Sequence, residues 1–205
     1  MVKIKLTKGE LKRQRDDLRQ FRRYLPTLQL KKQQLQMEIL RWNGIFEEKL
    51  RTENSRRSAV LSWIGLLADS GISLSAWIAP LKIVSGARNV AGVDLPVFER
   101  ADFAEAEYDL FLVPPWVDAA IGLLRELVSL REEIGIMRRA IEILRHELRI
   151  TTQRVNLFEK VKIPEAEEAV RRIKIYIGDQ MANAVGRSKI AKRKIEELLA
   201  FEVAG

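Results

Sequence analysis

Few side chains in this sequence are of types that do chemistry. The single histidine is His146, cysteine is absent, and adjacent carboxylates include Glu47-Glu48, Glu132-Glu133 and Glu167-Glu168. A lone histidine can act as a base or a metal ligand. His146, however, falls between Leu144 and Leu148 of a helical apolar repeat, the place of an exposed flank residue. Paired carboxylates serve general acid–base chemistry when their environments differ. These three pairs lie on segments rich in Arg and Lys, where solvated ion pairs account for them. Without cysteine, disulfide frameworks, thiol catalysis and Cys/His metal sites are excluded. VGRSKIAK holds a glycine and a lysine but not the GxxxxGK[ST] spacing that cradles phosphate, and GxGxxG is absent. The chain reads as a non-enzyme with no catalytic, cofactor or metal residues.

What remains is charge. The net charge is +8. Cations outnumber anions by more than two to one over residues 1–57, anions prevail by as much over 58–116, and residues 117–205 are near balance. Arg187 to Lys194, RSKIAKRK, puts five positive charges in eight positions. Basic ends can bind nucleic acid electrostatically, so a basic coiled-coil nucleic-acid-binding or scaffold protein is the alternative reading. Against it, LKRQRDDLRQFRR and RSKIAKRKIEELL alternate charge with apolar positions as solvated helix faces do, and Phe21 and Tyr24 suit a helix seam better than base stacking.

These charges have to be positioned by helices. With 47% apolar and 31% charged residues and 11 glycines, the composition favours long exposed helices over a compact β or α/β core. Thr7 followed by Glu10 is a capping-box pattern. From there Leu11, Leu18, Phe21, Leu25, Leu28, Leu35, Ile39, Trp42 and Phe46 step by threes and fours, broken in the seam only by Gln14 and Lys32. A second run follows Pro114-Pro115, through Leu127, Leu130, Ile134, Met137, Ile141, Leu144, Leu148, Thr151, Val155 and Phe158. Lys162 is the next seam position, and the pattern then drifts through Val170, Ile173, Ile177, Met181, Val185 and Ile195 to Leu199. About 50 and about 85 residues would span about 75 Å and about 125 Å. The predicted fold is dominated by α-helix: a long antiparallel two-helix coiled coil whose termini meet at one basic tip, with either the longer C-terminal helix projecting past the first or the first continuing beyond Ser58 towards Gly71.

Residues 1–70 form the first helix of this reading, 71–114 a middle segment, and 115–205 the second helix with a proline break at Pro164. Pro164 cannot give an N–H to the carbonyl of residue 160, and antiparallel pairing sets Pro26 opposite a point between residues 148 and 164. The two prolines are therefore candidates for one shared bend. In the middle, β-prone Leu81 to Val84 and Val93 to Phe98 flank SGARNVAG and predict a β-hairpin over about residues 81–98, with Pro96 on an edge strand. A lone hairpin is marginal and needs the coiled coil or a partner to cover it. Val60 to Pro80 is the one apolar stretch long enough to suggest a membrane span, but Asp69 and its serines favour a buried or partner-facing segment. MVKIKLTKGELKRQ has no apolar secretion signal, which fits a cytoplasmic setting.

LTKGELKRQRDDLRQFRRYLPTLQLKKQQLQ, ARNVAGVDLPVFE, TTQRVNLFEKVKIPEAEEAVRRIKIYIGDQ and GRSKIAKRK, taken together and in this order, resemble the D subunit of the V-type (vacuolar-type) rotary ATPases in its bacterial form. The resemblance covers nearly the whole chain. It implies a central rotor shaft, the counterpart of the gamma subunit of F-type ATP synthases, present in one copy per complex. Its joined termini would enter the cavity of the hexamer of A and B subunits, its mid-portion would bind the small F subunit, and its foot would dock on the funnel-shaped C (or d) subunit above the proteolipid ring. The shaft would be peripheral to the membrane and catalyse nothing, with proton or sodium transport belonging to the complex. By carry-over, Lys12, Arg13, Arg15, Arg19, Arg187, Lys189, Lys192 and Arg193 would face the hexamer. The hairpin, with Val84, Asn89, Val90, Val93, Pro96 and Phe98, would meet the F subunit or modulate ATPase activity.

Overall fold

The computed structural model describes residues 5–62, Gly65, 74–108 and 114–203, with side chains as far as residue 197. The fold is dominated by α-helix, with long N- and C-terminal helices and a two-stranded antiparallel sheet between them. Helix α1 spans Lys8–Leu61, a short α2 Ser75–Ile78, β1 Pro80–Val90, β2 Val93–Phe103 and α3 Trp116–Leu157. A π-helical turn, Phe158–Lys162, leads into α4, Ile163–Val203. The chain divides into two compact units, Leu30–Thr152 in one and Met1–Gln29 with Gln153–Gly205 in the other. Residues 63–64 and 66–73 of the apolar stretch from Val60 to Pro80 lie outside the described residues. Among the described residues no helix is long and apolar enough to cross a membrane.

In the unit Leu30–Thr152, α1 and α3 pair antiparallel. Lys31 meets Glu147 at 2.8 Å, Lys49 meets Glu133 at 2.9 Å, and Arg56 pairs with Glu126, so the α3 partner falls back as α1 advances. The apolar repeat supplies the contact: Leu35, Ile134, Met137, Ile141 and Leu144 are buried. Lys32, which interrupts the repeat, is half-buried, and its neighbour Lys31 carries the ion pair. Such half-exposed pairs contribute about 0.2–1 kcal/mol each, so burial of the seam, not charge, holds the helices.

The hairpin is longer than its sequence suggests. SGAR and its neighbours do not form a loop; β1 and β2 each run 11 residues, paired from Pro80↔Phe103 to Val90↔Val93, with irregularities at Pro80/Lys82 and Val84/Ser85. The turn is Ala91-Gly92 alone, with φ of 52° and 76°, the two positive values of a type I′ turn. Asn89 organises it: its Oδ1 accepts the Gly92 N–H at 3.1 Å, and its Nδ2 donates to Asp94 Oδ1 at 2.7 Å. Weak β-formers extend as strand here because the tip is anchored. Leu95 is fully buried with Leu35, Ala140 and Leu144, and Val90, Ala91 and Val93 pack around them.

At the hairpin's open end a second cluster forms from Leu74, Val117, Ala120 and Ile121, flanked by Trp77, Tyr108 and Trp116. Helix α3 starts where Pro114 ends the preceding segment, the Val117 N–H donating to the Pro114 carbonyl at 3.0 Å. One cation ties the cluster together. Arg125 donates from Nε to the Trp77 carbonyl at 2.9 Å and from Nη2 to the Ala104 carbonyl at 2.6 Å, and it stands 5.4 Å from the Phe103 ring centre. The Tyr108 hydroxyl donates to Asp118 Oδ1 at 2.7 Å; this hydrogen bond holds the Tyr108 pKa above its ordinary value.

In the other unit α1 begins as the capping pattern predicts, the Glu10 N–H donating to Thr7 Oγ1 at 3.2 Å. The Glu10 carboxylate accepts instead from Gln14 Nε2 at 2.8 Å. Pro26 lies inside an uninterrupted α1. Pro164 has a visible consequence. The Ile163 N–H donates to the Phe158 carbonyl, five residues back instead of four, which makes the π turn. The seam changes phase there. Lys162, the expected seam residue, is exposed, whereas Ile163 is half-buried and Ala166, Ala169 and Ile173 are buried. A five-residue step from Phe158 to Ile163 thus replaces a lysine by an isoleucine in the seam, and Phe21 packs edge-on against Phe158 at 5.4 Å beside it.

Candidate functional site

Surfaces, not a catalytic cleft, are the functional candidates. The carboxylate pairs behave as ion-pair members: Glu133 with Lys49, Glu167 with Arg22 at 2.6 Å, and Glu168 with both Arg171 and Arg172 at 2.8 Å. Glu47, Glu48 and His146 are exposed. Hydrogen bonds from Arg171, then Arg172, lower the Glu168 pKa to about 2. That is the signature of a carboxylate fixed as an anion, not of a general acid.

The basic candidates separate into two levels. Lys12, Arg13, Arg15 and Arg19 are exposed on α1, and Gln14, Asp17 and Phe21 line a groove of about 580 Å³ shared with Pro164, Ala166, Ala169 and Arg172. The first turn of α1 is thereby level with α4 a little beyond Ile173. Helix α4 continues to Val203, so roughly 35 Å of it extends beyond the start of α1 at 1.5 Å per residue. Arg187, Lys189, Lys192 and Arg193 lie on that extension. The expected single basic tip is therefore two successive bands, and the expected projection of the C-terminal helix is present. Seam residues on the extension are not covered by the described residues: Met181, Val185 and Ile195 are 54%, 56% and 57% exposed. Lys192 and Arg193 make loose pairs with Glu196 and Glu197 one turn on, at 3.7 and 3.5 Å. Lys12, Arg13, Arg15, Arg19, Arg187 and Lys189 make no ion pair among the described residues.

The hairpin candidates divide differently. Val90 and Val93 are half-buried against the helix pair and Asn89 builds the turn, so these three position the hairpin. Pro96 is half-buried on β2 opposite Ala87, and Phe98 lines a groove with Glu48, Arg56 and Arg125. Val84 is half-buried at the β1 irregularity. Two features have no advance mark in the sequence. Arg125 looks like any surface cation of a charged helix. Leu30, Met37 and Leu40 are 56%, 70% and 72% exposed, an apolar stripe on the face of α1 turned away from the seam. A wheel at 100° per residue finds this stripe, but the stronger seam signal conceals it.

The sequence profile of the family described as the D subunit of ATP synthase matches residues 10–193 of the chain. Proteins named as the D subunit of V-type ATP synthase are similar over nearly their full lengths. The one from Borreliella burgdorferi is 43% identical over 95% of this chain and 96% of its own. Those from Chlamydia caviae and Chlamydia trachomatis serovar L2 are 34% and 30% identical over 95% of this chain and 94% and 97% of theirs. Two long helices, a hairpin between them and full-length similarity agree: the chain belongs to the D-subunit family of V-type ATP synthases.

Proposed function

We propose that this chain is the central shaft of a V-type rotary ATPase or ATP synthase, carrying torque between the catalytic hexamer of A and B subunits and the membrane ring. Through it, ATP hydrolysis or synthesis is coupled to proton or sodium transport. The observation that carries this reading is the exposed extension of α4: an apolar stripe with flanking cations and no partner among the described residues is suited to an enclosing one. In the hexamer's cavity, Arg187, Lys189, Lys192 and Arg193, with the lower band Lys12, Arg13, Arg15 and Arg19, meet each of three sites at a different angle. Contacts that differ among the sites let shaft rotation exchange free energy with nucleotide binding.

The F subunit docks on the hairpin-bearing unit, where the hairpin and the Leu30/Met37/Leu40 stripe offer exposed surface; the hairpin is alternatively a modulator of hexamer ATPase activity. The foot around Trp77, Tyr108 and Arg125 faces the funnel-shaped C (or d) subunit. Pro26 and Pro164 mark one change of axis. The shaft works at the cytoplasmic face, peripheral to the membrane, without catalysing a reaction. Co-purification tests this: the tagged chain should bring down A, B and F, and charge reversal across the two basic bands should abolish coupled rotation. Unchanged assembly and coupling after that reversal would refute the hexamer contact, and salt-sensitive retention of DNA or RNA in place of A, B and F would refute the shaft.

A further inference from the structure

The two edges of the hairpin are not equivalent. A two-residue type I′ turn makes Val90 and Val93 the hydrogen-bonded closing pair, and antiparallel pairs alternate from there. Asn89/Asp94, Ala87/Pro96 and Ser85/Phe98 are then the pairs whose backbone groups point outward. On β2 the outward position at Pro96 has no N–H to offer, which blocks that edge. On β1 Ser85, Ala87 and Asn89 are exposed, each with an outward N–H and C=O. Farther along this strand, Leu81 is 73% and Ile83 38% exposed. Its ionic side chains are Lys82 and Arg88, both exposed and without an ion-pair partner among the described residues.

We infer that the outer edge of β1 receives, as a third strand, an extended segment of a neighbouring subunit with carboxylates placed to meet Lys82 and Arg88. The main chain supplies affinity in such strand addition and the side chains supply specificity. Charge argues for a different protein over a second copy of this chain. Pairing β1 with itself around Ser85 sets Lys82 of one copy opposite Arg88 of the other, and like charges directly opposite are destabilising. The same cations that repel a copy attract an acidic strand. The inference rests on the chain being part of a multisubunit assembly.

Hydrogen exchange at single amides tests it, comparing the free chain with its complex with the A, B and F subunits. The Ser85, Ala87 and Asn89 amides should slow by about tenfold or more on assembly, and should not depend on concentration in the free chain. Ala87→Pro removes an outward N–H at a pair that carries no ladder bond between β1 and β2, so the hairpin stays folded, as the Leu95 methyl resonances report. It should erase the protection at Ser85 and Asn89, as should Lys82→Glu combined with Arg88→Glu. A complex that forms with these amides still exchanging freely overturns this inference and leaves the shaft reading intact. Protection that grows with concentration of the free chain overturns it in favour of a second copy, and failure to assemble overturns both.

Discussion

The helix pair between Leu30 and Thr152 and the end of α4 beyond Ile177 have similar apolar spacing but opposite fates. In the first, Leu35 and Leu144 are shut off from water by each other and by Leu95 of the hairpin. In the second, Met181, Val185 and Ile195 keep more than half their surface. Periodicity therefore reports a demand for a partner and says nothing about which chain supplies it. Where the chain answers its own demand, the residues set stability. Where no described residue answers it, as at the end of α4, the proposed shaft role gives them assembly.

The largest effect that would break this comparison is on assembly. Removing residues 182–205 should eliminate coupled rotation with A and B while leaving the free chain's thermal midpoint unchanged; a clearly lower midpoint would mean that the extension stabilises its own fold. Next in size, Leu144→Ala should cost about 3 kcal/mol in urea unfolding through the cavity it leaves, whereas Met181→Ala should stay within about 0.5 kcal/mol. Equal losses would erase the distinction. Arg125→Gln strips two charged donors from the Trp77 and Ala104 carbonyls and should cost about 2 kcal/mol, with exchange rising at the foot amides first. Pro164→Ala combined with deletion of Lys162 restores a backbone donor while keeping the seam in phase and should stabilise the free chain by about 1 kcal/mol; coupling that stays normal would remove the proposed bend from the mechanism. The smallest effect is acidic. Because the folded Glu168 pKa is depressed to about 2, its contribution is present above the usual carboxylate range and lost as pH falls toward 2. It is partly exposed, so the checking measurement is a carboxyl titration by NMR, in which Arg171→Gln should move the midpoint upward.

The seam of both helices, the Thr7 cap, the hairpin's place and the projecting C-terminal helix were legible because each depends on neighbours in sequence. The hairpin's length was not. Ser85 to Arg88 have weak strand preference and become strand through cross-strand pairing and the anchoring of Leu95 on Leu35 and Leu144, contacts far apart in sequence. Lys162 misled for a different reason. Its spacing is right for an α-helix, and only the missing N–H of Pro164 makes the extra-residue turn that puts Ile163 in its place. Arg125 was invisible because its partners are backbone carbonyls, which carry no residue signature. The basic residues were recognisable as a group, but their separation into two bands follows from where α1 begins along α4.

The turn from Phe158 to Ile163 has a consequence for chain length. It holds one residue more than a regular helical turn, and the seam on either side is in phase only because that residue is there. A chain lacking Lys162 and with alanine at the position of Pro164 would run as an unbroken α-helix with Phe158 and Ile163 four apart, and the same side chains would meet α1. Loss of that one residue together with the proline is therefore structurally silent here. Homologous chains that differ by one residue in this part of the sequence should superpose on both sides of it.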